Sequence, residues 1–244
     1  MIEVRQLTDV SDFAEAVRLQ KTIWGFDEVE LMPVRIFVTA NKVGGHAFGA
    51  FDGNRMVGFC FAIPGIKPGG EIYLHSHMLG VLKEYRDAGT GRILKLAQRD
   101  EALSRNIPLI EWTFDPLEIK NAYFNIERLG VIVRRYVLNQ YGKTSSHLHA
   151  GLPTDRCVAE WWLNSPRVTR LLARTTRFRL PAVEQIPIPA SIYEIKAERP
   201  AEAREIQKQA SARFVELFAQ GLAVTAFERT PEAGVYLLSK WDSK

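Results

Sequence analysis

"HSHMLGVLKEYRDAGTGR", residues 75–92, sets two histidines, an apolar run and a glycine turn in one line. Its flanks give it a shape. Upstream, "EIYL" continues the apolar run, so 71–82 reads as a strand. Downstream, "GTGRILKLAQRDEALSRN" (89–106) sets Ile93, Leu96, Ala97 and Leu103 on one side and charges on the other, as a helix does. The unit is therefore strand, glycine turn, helix. The question is what such a turn holds.

Three chemistries compete for it. On a strand, i and i+2 share a face, so His75 and His77 could supply two imidazole metal ligands, and His147/His149 repeats the spacing. A usual site needs three or four convergent ligands, and Glu84 lies past Gly80, where the chain turns; the metal reading is the weaker one, and no metal is expected. A dinucleotide turn would need G-x-G-x-x-G, but Leu94 fills the third glycine position. No G-x-x-x-x-G-K-[ST] occurs either. An anion cradle fits better. Gly89 and Gly91 let backbone N–H groups approach closely, those groups open a helix, and Arg86 adds charge at the entrance.

The remainder of the chain is consistent with a globular α/β protein. Its 244 residues are 46% hydrophobic, and no run approaches the ~18 apolar residues of a membrane span. "MIEVRQLTDV" lacks a basic region followed by an apolar one, so no secretory signal is expected. Two cysteines, Cys60 and Cys157, make neither a disulfide framework nor a zinc set, which points to a reducing cytoplasm and two inert core thiols. Residues 165–244 hold 13 Lys/Arg and 9 Asp/Glu, against 19 and 19 for 1–164. Most of the excess is in "SPRVTRLLARTTRFR" (165–179), where Arg167, Arg170, Arg174, Arg177 and Arg179 face no acidic residue in sequence. A solvated face is the simpler reading and an anion contact the sharper one. Without interleaved aromatics and glycines, nucleic acid is not expected.

"MIEVRQL" reads as a first strand, then "SDFAEAVRLQKTIW" as a helix capped by Ser11 and ended by Gly25. "FDEVELMP" is a loop and "VRIFVTANK" a second helix. Apolar runs 46–51 and 56–63 around "DGN" form an antiparallel hairpin. After the opening stretch come a buried strand, "IPLIEWTFD", a short helix stopped by Gly130, and the strands "VIVRRYVL" and "DRCVAEWWL". The order over 1–164 is β-α-α-β-β-β-α-β-α-β-β, a mixed α/β sheet. Beyond it lie the proline-broken "LPAVEQIPIPASIYEIK", a helix over 200–220 and a closing hairpin, "AVTAFERTPEAGVYLLS".

At this point the residues carry a resemblance. "VLKEYRDAGTGRILK" resembles the pyrophosphate-binding motif [RQ]-x-x-G-x-[GA] of the GCN5-related N-acetyltransferase (GNAT) superfamily, with Arg86, Gly89 and Gly91 in its positions. "NAYFNIERLG" resembles the superfamily's second signature through Asn121 and the Leu129–Gly130 ending. The element order is also similar, most closely to a bacterial group of the superfamily. The resemblance covers 1–164 as an acyl-CoA-binding domain and leaves 165–244 as a C-terminal α/β extension. It implies a mostly antiparallel sheet flanked by helices.

It further implies acetyl-CoA as co-substrate. Backbone N–H groups of Asp87, Ala88, Gly89, Thr90, Gly91 and Arg92 would hold the pyrophosphate, with Arg86 adding charge at the entrance. Leu79, Gly80 and Val81 would pair with the pantetheine arm between two splayed strands, with Asn121 and Phe124 from the second signature. An amine acceptor would enter past the loops at 25–33 and 139–152. The serotonin N-acetyltransferase branch carries an H-x-H on the same strand, which implies that His77, with His75, removes the acceptor's proton. Imidazole, with a pKa near ~6.5, suits that task. The superfamily's usual general acid, a tyrosine four residues before the second-signature glycine, is here Ile126, although Tyr123, Tyr136 and Tyr141 are near in sequence.

The expected function is thus an N-acetyltransferase acting on an amine of open identity. A non-catalytic CoA-binding sensor is the alternative, and an H-x-H metalloenzyme the third. Trp24, Phe26, Trp112, Trp161 and Trp162 could line an acceptor pocket, but such aromatics are more often core. The extension could shape that pocket, mediate a homodimer, or cover a sheet edge.

Overall fold

The computed structural model describes residues 1–142, 144–146, 150–173, 175 and 179–241. Its contacts divide the chain into two units, Met1–Trp112 with Ser145–Leu148, and Thr113–Thr144 with His149–Lys244. This boundary falls inside the 1–164 region, because strands near its end pair with strands of the extension.

In the first unit, β1 (Ile2–Gln6), β2 (His46–Asp52), β3 (Arg55–Ile66), β4 (Ile72–Val81) and β5 (Leu109–Phe114) lie in that order. All neighbours are antiparallel except β4 and β5. Helices α1 (Val10–Trp24), α2 (Val34–Lys42) and α3 (Thr90–Ser104) complete the unit. The sheet is thus mixed and mostly antiparallel, as the sequence led one to expect.

Helix α1 buries Phe13, Ala16, Leu19 and Ile23, spaced at three and four residues. Phe13 stacks on Phe37 of α2 at 5.6 Å, and Phe37 packs on Phe61 of β3 at 4.8 Å. Each such phenylalanine contributes about 1.5–3 kcal/mol by leaving water. Gly25 ends α1 at φ +69°, its N–H reaching the Lys21 carbonyl. Ser11 does not cap the helix; Asp9 holds that position in extended conformation, without a side-chain bond, and Ser11 lies inside the first turn. In α3 the buried face also differs from the expected one. Thr90, Leu94, Lys95, Gln98 and Ala102 are buried, while Ile93, Leu96, Ala97 and Leu103 are half-buried. Polar side chains that bond one another beneath the sheet displace the purely apolar stripe.

The second unit holds α4 (Ile119–Tyr123), β6 (Ile132–Val137), β7 (Arg156–Trp162), α5 (Pro166–Leu172), β8 (Glu184–Pro189), α6 (Ile192–Glu198), α7 (Pro200–Ala219), β9 (Leu222–Arg229) and β10 (Ala233–Lys240). Its strands run β7-β6-β9-β10-β8. Tyr236 anchors the core, edge-on to Phe214 at 5.1 Å and Phe227 at 4.7 Å, with its hydroxyl donating to the Pro116 carbonyl at 2.7 Å.

Two elements were not legible. The proline-broken stretch contains β8, whose Ile186 and Ile188 are buried in alternation while Pro187 and Pro189 are tolerated because the strand lies at the sheet edge. Helix α6 follows it.

The arginine segment is not a uniformly solvated face. Arg167 is buried, donates to the Gly130 carbonyl at 2.9 Å, and burial lowers its pKa to about 10. Arg179 pairs with Glu228 at 2.6 Å, so it does meet an acidic residue. Arg170 is exposed. Arg174 and Arg177 lie outside the described residues.

Candidate functional site

The site begins with an irregularity in β4. Phe61 of β3 faces Met78 and Ala62 faces Ser76, so His77 is skipped by the register. The strand is bulged at that residue, and a bulge re-aims a side chain. On its other edge, β4 pairs with β5 only at Leu74↔Ile110 and His75↔Glu111. From Ser76 to Val81 no pairing among the described residues joins that backbone edge to β5, so the two strands part beyond His75. Leu79, Gly80 and Val81 meanwhile pair toward β3 with Cys60, Phe59 and Gly58. A strand alternates the direction of its N–H and C=O groups, so part of this segment's hydrogen-bonding capacity faces the open edge.

His75 is half-buried and His77 reaches solvent. Their rings lie 6.2 Å apart, and Phe61 stands edge-on to His77 at 6.4 Å. Burial pushes the His75 pKa down to about 4, with further lowering by His77, Lys95 and Lys67. The His77 pKa is lowered by desolvation alone. Both rings are neutral at pH 7 and able to accept a proton. The lysine charges that act on His75 do not figure among the causes of the His77 shift.

One carboxylate at this site was missed from sequence. Glu111 of β5, directly across from His75, is buried and pairs with Lys67 at 2.6 Å. Lys67 also lies over the Tyr73 ring at 4.4 Å. A single acid inside the apolar run "IPLIEWTFD" was the available signal.

Beyond β4 the chain makes a short turn over Lys83–Tyr85 and enters α3 through Gly89. Gly89 has φ +89°, and a Cβ there would meet nothing within 4 Å, so the requirement for glycine is conformational. Asp87 is also left-handed, at φ +61°. The Thr90 hydroxyl donates to the Tyr85 carbonyl at 3.1 Å, and Arg86 Nε to the Val81 carbonyl at 2.9 Å. These bonds fold the turn back on the strand end. The first N–H groups of a helix have no partner within it, and its dipole favours an anion there. Ala88, Gly89, Thr90 and Gly91 line that opening. The Arg92 N–H, by contrast, donates to the Gly89 carbonyl at 2.9 Å.

Gly80 has a packing role of its own. A Cβ there would lie 2.7 Å from the Trp24 ring and 2.9 Å from Ile23. Trp24 itself stacks on Phe26 at 5.7 Å. The 25–33 loop bonds to Ser145, which accepts from the Asp27 N–H at 3.0 Å and donates its own N–H to Glu30 at 2.9 Å. His147 and His149 lie outside the described residues.

Asn121 and Phe124 belong to the second unit. Asn121 is in α4, accepting from Asn125 at 3.3 Å, and Phe124 opens a π-helical turn, Phe124–Arg128, ended by Gly130 at φ +83°. Ile126 is fully buried. Of the nearby tyrosines, Tyr136 bonds Ser211 at 2.8 Å and burial raises its pKa, Tyr141 bonds Thr113 at 3.1 Å, and Arg229 covers the Tyr123 ring. Trp112 and Trp161 are buried, as core aromatics are, and both thiols are buried too, Cys60 with its pKa pushed up to about 12. Among the described residues no three His, Cys, Asp or Glu groups converge on a metal position, and no helix is long and apolar enough to cross a membrane.

No protein-family profile matches the chain, and no curated protein matches it in sequence. Solved structures do match. A Desulfovibrio desulfuricans protein assigned to the GNAT acetyltransferase family aligns at TM-score 0.53 and 15% identity over 67% of this chain and 99% of its own. The ribosomal-protein-S18-alanine N-acetyltransferase of Escherichia coli aligns at 0.52 and 16%, over 68% and 96%. Arabidopsis thaliana Naa50, in complex with the bisubstrate analogue CoA-Ac-MVNAL, aligns at 0.51 and 16%, over 65% and 97%. The fold is that of the GNAT acetyltransferases, and about a third of this chain falls outside what each neighbour shares.

Proposed function

We propose that the chain is an acyl-CoA-dependent N-acyltransferase that moves acetyl from acetyl-CoA directly to an amine. The observation that carries this reading is the sequence of features along one strand: bulged His77, an open backbone edge at Ser76–Val81, and the Gly89 turn that opens α3. The neighbours' activities and the CoA analogue bound to one of them support the same reading.

The turn formed by Arg86 to Gly91 takes the pyrophosphate. The open edge at Leu79–Val81 takes the pantetheine amides, which sets the thioester near His77. An amine at neutral pH is mostly ammonium and cannot attack until it loses a proton. His77 accepts that proton, through water where needed, and neutral His75 is the next acceptor outward. The amine nitrogen then bonds the thioester carbonyl carbon, and a backbone N–H near Leu79 holds the oxyanion. The C–S bond breaks, the attacking nitrogen gives its second proton to water as the amide forms, and CoA leaves as a thiolate that takes a proton from solvent. Tyrosine does not assist at 126, since Ile126 is buried and apolar.

The test is turnover of acetyl-CoA across a panel of small amines, amino acids and peptide N-termini, with mass detection of product. Product with stoichiometric thiol release is expected. Ile126 favours one second reading, a CoA-binding module without catalysis. A thermal shift with CoA but no thiol release with any amine would select that module; no shift at all would remove both.

A further inference from the structure

Helix α3 carries one buried cation that the transfer chemistry does not touch. Lys95 is 1% exposed, its Nζ donating to the Ser76 hydroxyl at 2.7 Å and lying 3.7 Å from the Trp112 ring centroid. Ser76 donates onward to Gln98 Oε1 at 2.9 Å. The charged or titratable groups around this ammonium are few. Cys60 of β3 is beside it, and the charge is felt by His75 of β4. Among the described residues no carboxylate pairs with it.

A buried ammonium without a counter-ion is expensive. An apolar side chain of equal length would fill the space at lower cost, so packing does not account for a lysine. What lysine adds is the bond to Ser76. That residue marks the foot of the bulge: Ser76 pairs with Ala62, Met78 with Phe61, and His77 stands between them unpaired. The helix that supplies Lys95 and Gln98 is the one opened by the Gly89 turn.

We propose that Lys95 is a positioning residue: through Ser76, braced by Gln98, it pins the foot of the β4 bulge and so fixes His77 relative to the turn that opens α3. This rests on the acyltransfer reading for its purpose, but not for its geometry. Lys95 approaches from beneath the strand and acts through Ser76, so it touches neither co-substrate nor acceptor. The same helix then sets two things at once, the anion turn at its start and, through Lys95 about one and a half turns along, the placement of His77 on β4.

The test compares Lys95→Met, Ser76→Ala and the double variant in the full chain. Histidine-ring NMR titrations read His75 and His77 without any turnover, and acetyl transfer to the best amine of the panel reads kcat and KM. Each single variant is expected to lower kcat on the order of tenfold or more through misplacement of His77, with the KM for acetyl-CoA about unchanged. The double variant is expected to be no worse than the stronger single one, since the residues act as a unit. The His77 resonances should move in both, and the His75 pKa should rise in Lys95→Met, where a lowering charge is gone. A folded Lys95→Met with wild-type kcat and unmoved His77 resonances overturns the proposal, as does simple additivity of the two losses. Should Lys95→Met fail to fold, the same readings on Ser76→Ala decide it. If the wild-type chain acetylates nothing, the function reading fails, while the NMR arm still decides whether Lys95 places His77.

Discussion

His77 and Gly89 are the residues on which the proposed chemistry divides into base and anion site, and the two separate by measurement. His77→Ala removes the acceptor at the bulge but leaves the turn intact. Turnover is expected to fall by about 10²–10⁴-fold, with CoA affinity unchanged in a calorimetric titration; wild-type turnover would remove His77 as the base. Gly89→Ala does the converse. An alanine at φ +89° is strained by about 1–2 kcal/mol, so the urea midpoint should drop and CoA binding weaken together. A variant with the parent's midpoint and CoA affinity would show that the turn does not depend on this conformation. Both residues were legible because motif spacing is local. Glu111 and Lys95 were not. Each is a charge in an otherwise apolar or amphipathic segment, and only the fold puts Glu111 across from His75 and turns Lys95 inward to Ser76.

At the scale of elements, β4 is held from both faces, and its glycine at 80 answers to α1. The sequence motif makes Gly80 part of a backbone edge for a ligand, yet its neighbours explain it without one, since Trp24 occupies the space a Cβ would need. Gly80→Ala is therefore expected to destabilise by roughly 1–3 kcal/mol through overpacking. Trp24→Leu should relieve part of that loss, so the double variant should be less unstable than the two single losses added. An additive pair, measured by urea denaturation, would mean that Trp24 is not what excludes the side chain. The elements themselves were read well wherever a period of 2 or 3.6 runs uninterrupted: the β2–β3 hairpin, α1, α7 and the β9–β10 pair. Reading failed at β8, where prolines signal loop although an edge strand can hold them, and at the cap of α1, where Asp9 and not Ser11 precedes the first turn.

Across the whole molecule, the order of elements in 1–164 was visible in sequence, but the packing of the remainder was not. Strands β6 and β9 pair at Val133↔Val224, more than ninety residues apart, and no local pattern encodes such a contact. Buried titratable groups make one prediction at this scale. The Lys95 pKa is lowered from 10.5 to about 7 by burial, so between those values the unfolded chain binds a proton that the folded chain does not. Stability then rises with pH, by up to about 1.4 kcal/mol per unit. His75, lowered from 6.5 to about 4, acts with the same sign in the window below, its contribution full above pH 6.5 and lost as pH falls through 4. From about pH 9 the sign reverses, because the buried thiols of Cys60 and Cys157 stay protonated in the folded state and ionise in the unfolded one. The clean window is therefore pH 7 to 8.5. Urea midpoints measured across it should climb for the parent chain, and Lys95→Met, which cannot titrate, should flatten the climb. A parent chain whose midpoint stays level across that window would mean that Lys95 remains charged inside the protein, held by a partner that burial alone does not provide.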